Sequence, residues 1–318
     1  MTNPSYLQLY KDGSLDDRIR SARELLANCK VCPHNCKVNR MEGELGICRT
    51  GMKARIASSG PHFGEESPLV GINGSGTIFF EGCSLLCIFC QNYDISHIDK
   101  LGDDSPQAVN DDQLADIMIS LQEQGCHNIN LVTPSHVVPQ ILAALPSAIE
   151  KGLRIPLVYN SGGFDSVDTL QLLDGVIDIY MPDCKFISTE TAKRYTRAAD
   201  YPEVMKKAVL EMHRQVGELK TDERGIAVRG LLVRHLVMPG HLEETEGILE
   251  FLAKEVSENT YINIMDQYRP CFEAFGMSPI NRPLSREEHN RALEMAHSKG
   301  LHNLDQRDWN RILRRLGF

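Results

Sequence analysis

Three cysteines, Cys83, Cys87 and Cys90, follow an apolar β-rich run and Gly82 in the string Cys83-Ser-Leu-Leu-Cys87-Ile-Phe-Cys90. Thiolates at this spacing can wrap one loop round a corner of a cubane and bind three of its four irons. The fourth iron then stays open for a cofactor or substrate. Zinc is the competing reading. Tetrahedral zinc needs a fourth ligand, though, and His97 and Cys126, the two candidates, have no familiar zinc spacing.

A second set, Cys29, Cys32, Cys36 and Cys48, supplies four thiols within twenty residues. That count suits a closed zinc site or a second [4Fe–4S] cluster with no open iron. Pro33, Asn35, Gly43 and Gly46 let the backbone fold round such a centre and turn N–H groups toward sulfur. The spacing does not decide between them, and zinc or a purely structural use is the reading preferred; an iron–sulfur centre there would be an electron relay to the first. The remaining three of the 10 cysteines, Cys126, Cys184 and Cys271, read as buried small residues. In a reducing compartment so many thiols point to metal or redox chemistry rather than disulfides.

The net charge of −9 disfavours a nucleic-acid partner gripped by its phosphates. The acidic groups at Asp103-Asp104, Asp111-Asp112 and Glu243-Glu244-Glu246 read as solvated helix starts and faces. No apolar run is long enough to cross a bilayer, and the opening residues lack the layout of a signal peptide. The expectation is a cytoplasmic protein without a membrane partner.

The elements that must position these cysteines are legible from residue 71 onward. Apolar runs at Thr77–Phe80, Ile129–Val132, Leu157–Tyr159, Val176–Tyr180, Leu231–Val237 and Tyr261–Met265 read as strands. Helical stretches lie between them at Asp112–Glu123, Val137–Glu150, Ser166–Leu173, Tyr201–Leu219 and Thr245–Val256. Six strand–helix units imply an α/β fold with parallel strands, and six are too few for a closed barrel. The fold expected is a partial (β/α)6 TIM-type barrel over 71–318, ending in a helix that Ser285 and Glu288 begin as a capping box. Residues 1–70 form a small N-terminal Cys-rich, metal-binding segment whose clear helix is Leu15–Ala27. Chemistry on such sheets gathers at the C-terminal strand ends. Ser135, His136, Asn160, Ser161, Asp183, Lys185 and Arg234 fall there, with Arg269 a weaker candidate. His136 could relay a proton, or could simply be a satisfied polar side chain.

With Phe89 just before its third cysteine, the CxxxCxxC loop resembles the hallmark of the radical S-adenosylmethionine (SAM) superfamily. Cys29 through Asn92, Asn130–His136, Pro182–Lys185, Arg234–Gly240 and Tyr268–Pro270 look like the pyruvate formate-lyase activating enzyme-like branch, in a sub-branch with extra cysteines ahead of the loop. The resemblance covers nearly the whole chain. It implies a radical SAM oxidoreductase whose [4Fe–4S] cluster, held by Cys83, Cys87 and Cys90, chelates S-adenosyl-L-methionine and cleaves it to a 5′-deoxyadenosyl radical. That radical takes hydrogen from a protein or small-molecule substrate. It also implies a reductant such as flavodoxin or ferredoxin, and a glycyl-radical enzyme as the protein substrate of an activating activity. By the same resemblance Phe89 lies against the adenine, Asn160 and Ser161 suit the ribose, and Lys185 and Arg234 meet an anion. The superfamily's Gly-Gly-Glu is replaced by Thr133-Pro134-Ser135-His136, so the SAM ammonium falls to backbone carbonyls or Ser135. The alternative from another class is a non-catalytic iron–sulfur or zinc electron-transfer or binding module. Charged residues at the strand ends argue against it, because a carrier needs no cavity.

Overall fold

A computed structural model describes residues 3–98 and 105–305; the acidic pair Asp103-Asp104 lies outside them. Among the described residues nine strands form a mixed α/β sheet: β1 (Ala54–His62), β2 (Ser75–Phe80), β3 (Ala108–Val109), β4 (Ile129–Val132), β5 (Leu157–Ser161), β6 (Ile179–Pro182), β7 (Lys220–Thr221), β8 (Ala227–Leu236) and β9 (Tyr261–Met265). Strands β2, β4, β5, β6, β8 and β9 run parallel in that order. These are the six apolar runs of the sequence, and their buried Val, Ile and Leu side chains carry the core. The sheet is not closed. Strand β1 covers the outer edge of β2 antiparallel, and β3 extends that edge.

Strand β1 lies outside the six runs read as strands, and Gly60 and Pro61 give it the composition of a turn. Both sit in the stretch of β1 that pairs only with β2, where a proline without an N–H removes no ladder bond on its open side. Residues 1–70 and 71–318 thus share one sheet across position 70. Strand β6 starts three residues later than the run Val176–Tyr180 suggested. Asp178, just ahead of it, accepts the N–H groups of Ser5 (2.9 Å) and Leu157 (3.2 Å) and pins the N-terminal helices to this end of the sheet.

The helix Arg286–Ser298 begins with the expected capping box: the Ser285 hydroxyl accepts the Glu288 N–H, and the Glu288 carboxylate accepts that of Ser285. A second box, Asn110 with Gln113, starts Asp111–Glu123. The stretch expected as one helix to Val256 is α-helical over Leu242–Phe251 and continues as a π turn, Leu252–Val256. No helix among the described residues is long and apolar enough to cross a membrane.

Candidate active site and four-cysteine segment

The loop after β2 turns back on itself through two left-handed residues, Gly82 (φ 82°) and Leu86 (φ 48°). A non-glycine residue in this region stores strain and tends to mark a functional turn. Here the turn aims the Leu85 N–H at Cys83 Sγ, 3.4 Å away. Cys90 Sγ lies 3.3 Å from the Ser96 hydroxyl. All three thiols open into one cavity of about 250 Å3. Phe89, Ser135, Asn160, Ser161, Lys185 and Arg234 line the same cavity, so the structure brings every cavity residue picked out in the sequence to one place. Another non-glycine residue in the left-handed region, Thr133 (φ 61°), sits at the end of β4 on the cavity wall.

The charged part of the cavity is a bridge. Asp183 accepts from Lys185 Nζ at 2.6 Å and from Arg234 Nε at 2.8 Å, and a further Arg234 nitrogen donates to Asn160 Oδ1 at 2.6 Å. Burial alone would raise the Asp183 carboxyl, but Arg234 and Lys185 outweigh it and hold the carboxyl below its ordinary value. Burial pushes the Cys87 thiol up, opposed first by Lys185. Cys83 rises for the same reason, against the N–H groups of Leu86 and Leu85. Among the described residues Asp183, Lys185 and Arg234 are the charged side chains lining the cavity; behind them Glu65, ion-paired with Arg234 at 4.0 Å and held below its ordinary value, against burial, by His62 and Arg234, offsets the second cation. Lys185 and Arg234 still present N–H donors to an anionic group.

Phe89 is packed at 5% exposure, edge-on to Phe186 and tilted against Tyr268. Cys184 is buried behind the wall that Asp183 and Lys185 face, as strand alternation requires. Arg269 is exposed and outside the lining. His136 is also outside it. Its Nε2 meets the Glu81 carbonyl at 2.9 Å, its Nδ1 is buried without a partner, and burial lowers its pKa to about 3, which suits a structural neutral ring rather than a relay.

Sequence reasoning missed the residues behind the wall. Asp165, fully buried, takes hydrogen bonds from Tyr159 (2.8 Å) and Ser161 (2.6 Å) and is also bonded to Ser135. Its carboxyl is pushed up by burial against those three hydroxyls. Ser161 gives its proton to Asp165 and accepts the Gly163 N–H, so toward the cavity it can act only as an acceptor. Glu65, bonded to His62 and Asn130, stands 4.0 Å from Arg234. The clue available was position alone: Asp165 closes the run Asn160-Ser-Gly-Gly-Phe-Asp at the end of β5.

Comparison with protein-family models finds no match. The chain is 36% identical over 302 residues to the uncharacterized protein MJ0674 of Methanocaldococcus jannaschii, a match covering 94% of this chain and 82% of that protein. The chain belongs to that protein's family.

Its four-cysteine segment is drawn into a compact knot. The backbone pairs Cys29 with Val38 and Lys37, and left-handed Asn35 and Lys37 turn the chain between them. The Cys36 and Cys29 thiols are hydrogen-bonded to each other, Cys32 feels Cys48 and Cys29, and backbone N–H groups of His34 and Val38 point at Cys32 and Cys36. Burial pushes Cys32 up to about 12. Among the described residues no three or more His, Cys, Asp or Glu groups stand in position to hold a metal ion. Metal binding would require the sulfurs to lose their protons and draw inward, which is the ordinary coupling between thiolate ligation and local folding.

Proposed function

We propose that the chain is a radical SAM enzyme of the pyruvate formate-lyase activating enzyme-like type, built on a partial (β/α)6 barrel. The observation that supports this most is the meeting, in one cavity, of three thiols from one strained loop with Lys185, Arg234 and Asn160 from three successive strand ends. By donor type the set suits a [4Fe–4S] cluster with one open iron: three cysteines line the cavity, and neither a fourth cysteine nor a histidine is among the described lining residues; their sulfurs, too, would have to draw into position to hold it. With S-adenosyl-L-methionine on that iron, such a cluster supplies one-electron cleavage of the C5′–S bond and hydrogen abstraction from a protein or small-molecule substrate.

The chain's own residues do the rest. Lys185 lies close enough to Cys87 to ease loss of its proton. Asp183 holds the Lys185 ammonium and the Arg234 guanidinium at fixed points on the wall, where they can take a carboxylate. Ser161, an acceptor only, suits a sugar hydroxyl that donates. Phe89, rigidly packed, offers a flat apolar face and excludes water.

The test is anaerobic reconstitution of the chain with iron and sulfide, followed by dithionite and S-adenosyl-L-methionine. We expect 5′-deoxyadenosine to form, and Cys87→Ala to lose both the product and the cavity iron. No product from the wild type, together with unchanged iron in Cys87→Ala, sinks the proposal.

A further inference from the structure

The four-cysteine segment encloses a charge that thiols alone do not balance. Arg40 is 1% exposed. Its guanidinium donates to the His136 carbonyl at 2.8 Å and to Cys48 Sγ at 3.5 Å, while its Nε has no acceptor. Among the described residues no carboxylate pairs with it; its electrostatic partners are Cys48, Cys29 and Cys32, and its side chain also bonds Cys29. A guanidinium cannot shed its proton, so a dry site that holds one needs a negative partner or carries a large penalty. Neutral thiols are poor partners, whereas thiolates would be good ones.

We infer that Cys29, Cys32, Cys36 and Cys48 hold a metal centre as thiolates, either zinc or a closed iron–sulfur cluster, and that Arg40 is its internal counter-cation. Four thiolates around a core of charge +2 leave two negative charges, and Arg40 cancels one of them in the interior. The spacing of the cysteines raises the metal; the placement of Arg40 says that the interior is built for its charge.

The same centre braces the cavity loop. Gly82 lies so close to Cys48 that a Cβ on it would fall 2.3 Å from the Cys48 carbonyl oxygen. The His34 ring bonds the Ser84 carbonyl at 2.6 Å and packs edge-on against Phe164 on the cavity wall. Arg40 reaches His136, whose ring holds the Glu81 carbonyl. Arg55 joins the Glu81 carboxylate to the carbonyl of Arg49, next to Cys48. The loop is therefore gripped at residues 81, 82 and 84, immediately beside Cys83. Stripping the metal should loosen this grip.

The inference holds whether or not the cavity loop carries a cluster, and the test separates the two. Zinc, iron and sulfide per chain are measured in the full-length protein purified without oxygen, and in the triple variant Cys83→Ser, Cys87→Ser, Cys90→Ser. The triple variant should keep one zinc, or a full complement of cluster iron and sulfide, and should lose it when Cys32→Ser is added. Arg40→Met should surrender the metal to a chelator at about 10- to 100-fold lower chelator concentration, the usual effect of removing a group that supports a ligand. Arg40→Lys should recover most of the loss; Arg40→Gln serves as the neutral variant if Arg40→Met does not fold. A triple variant that melts like the wild type yet holds neither zinc nor iron overturns the inference. Wild-type chelator resistance in the neutral Arg40 variants overturns the role of Arg40. Equal iron in wild type and triple variant would instead remove the cavity-loop reading and leave this centre standing.

Discussion

Lowering the pH tests whether His136 is structural. Its pKa falls from 6.5 to about 3, chiefly through burial, with the nearby charges of Arg40 and Arg55 pushing the same way and the Glu81 carbonyl opposing. His235, bonded at both ring nitrogens to the Cys184 carbonyl and the Thr245 hydroxyl, falls to about 4, again chiefly by burial. A histidine whose folded pKa is depressed takes up a proton on unfolding. Its contribution to stability is therefore complete above the unfolded pKa of 6.5 and fades as the pH drops toward the folded value. At pH 5 the unfolded ring is mostly protonated and the folded one is not, so each histidine stabilises by about 2 kcal/mol less than at pH 8. Asp165 and Glu66, whose carboxyls burial pushes up, act in the opposite direction, so the total acid response mixes signs. A difference between variants isolates one ring. His136→Gln keeps an N–H that can reach the Glu81 carbonyl and removes the titration. Urea unfolding of wild type and variant at pH 8 and pH 5, followed by circular dichroism in the presence of chelator, should show the variant losing about 2 kcal/mol less on acidification. Equal losses would mean that His136 is already charged in the fold, which would return it to consideration as a proton carrier.

Two further outcomes follow from the hidden polar groups. Asp165→Ala strands the hydroxyls of Tyr159, Ser161 and Ser135 in a dry interior and should cost about 3 kcal/mol or more in urea unfolding, with Asp165→Asn recovering part; a change below about 1 kcal/mol would show that water reaches them. Asp183→Asn leaves Lys185 and Arg234 facing each other across a neutral amide and should destabilise by about 3 kcal/mol. That is the low end for a broken buried pair, because all three side chains keep 16–17% exposure on the cavity. An unchanged unfolding midpoint would mean that cavity water already solvates both cations.

The features legible in the sequence were those set by local spacing. The three- and four-cysteine sets, the six apolar runs and the Ser285 capping box are each written within a few residues, and each has its element in the structure. Arg234 is a charged residue inside an apolar run, which needs a polar surface to face, and it does line the cavity. What stayed hidden depends on partners far along the chain. Strand β1 has few β-branched residues and exists because β2 offers it an edge. Arg40 gains its role only when the fold brings His136, 96 residues away, against it. Asp165 and Glu65 carry no local signal, and only the packing of β4, β5 and β8 brings their partners to them. Buried polar networks are non-local by construction, so periodicity cannot reveal them.

The two cysteine sets differ in what closes them, and that difference orders their roles. The four-cysteine set is lined by backbone N–H groups and by Arg40, with Cys29, Cys32 and Cys48 all buried. The three-cysteine loop faces open space beside Lys185, Arg234 and Asp183. A closed thiolate set stabilises structure, whereas an open one beside N–H donors can accept a further ligand. Because Gly82 touches Cys48 and His34 holds Ser84, rigidity in the closed set passes directly to the loop that carries the open one. A strained loop with Leu86 in the left-handed region keeps its geometry only while its surroundings fix it, and here the surroundings are the four-cysteine segment.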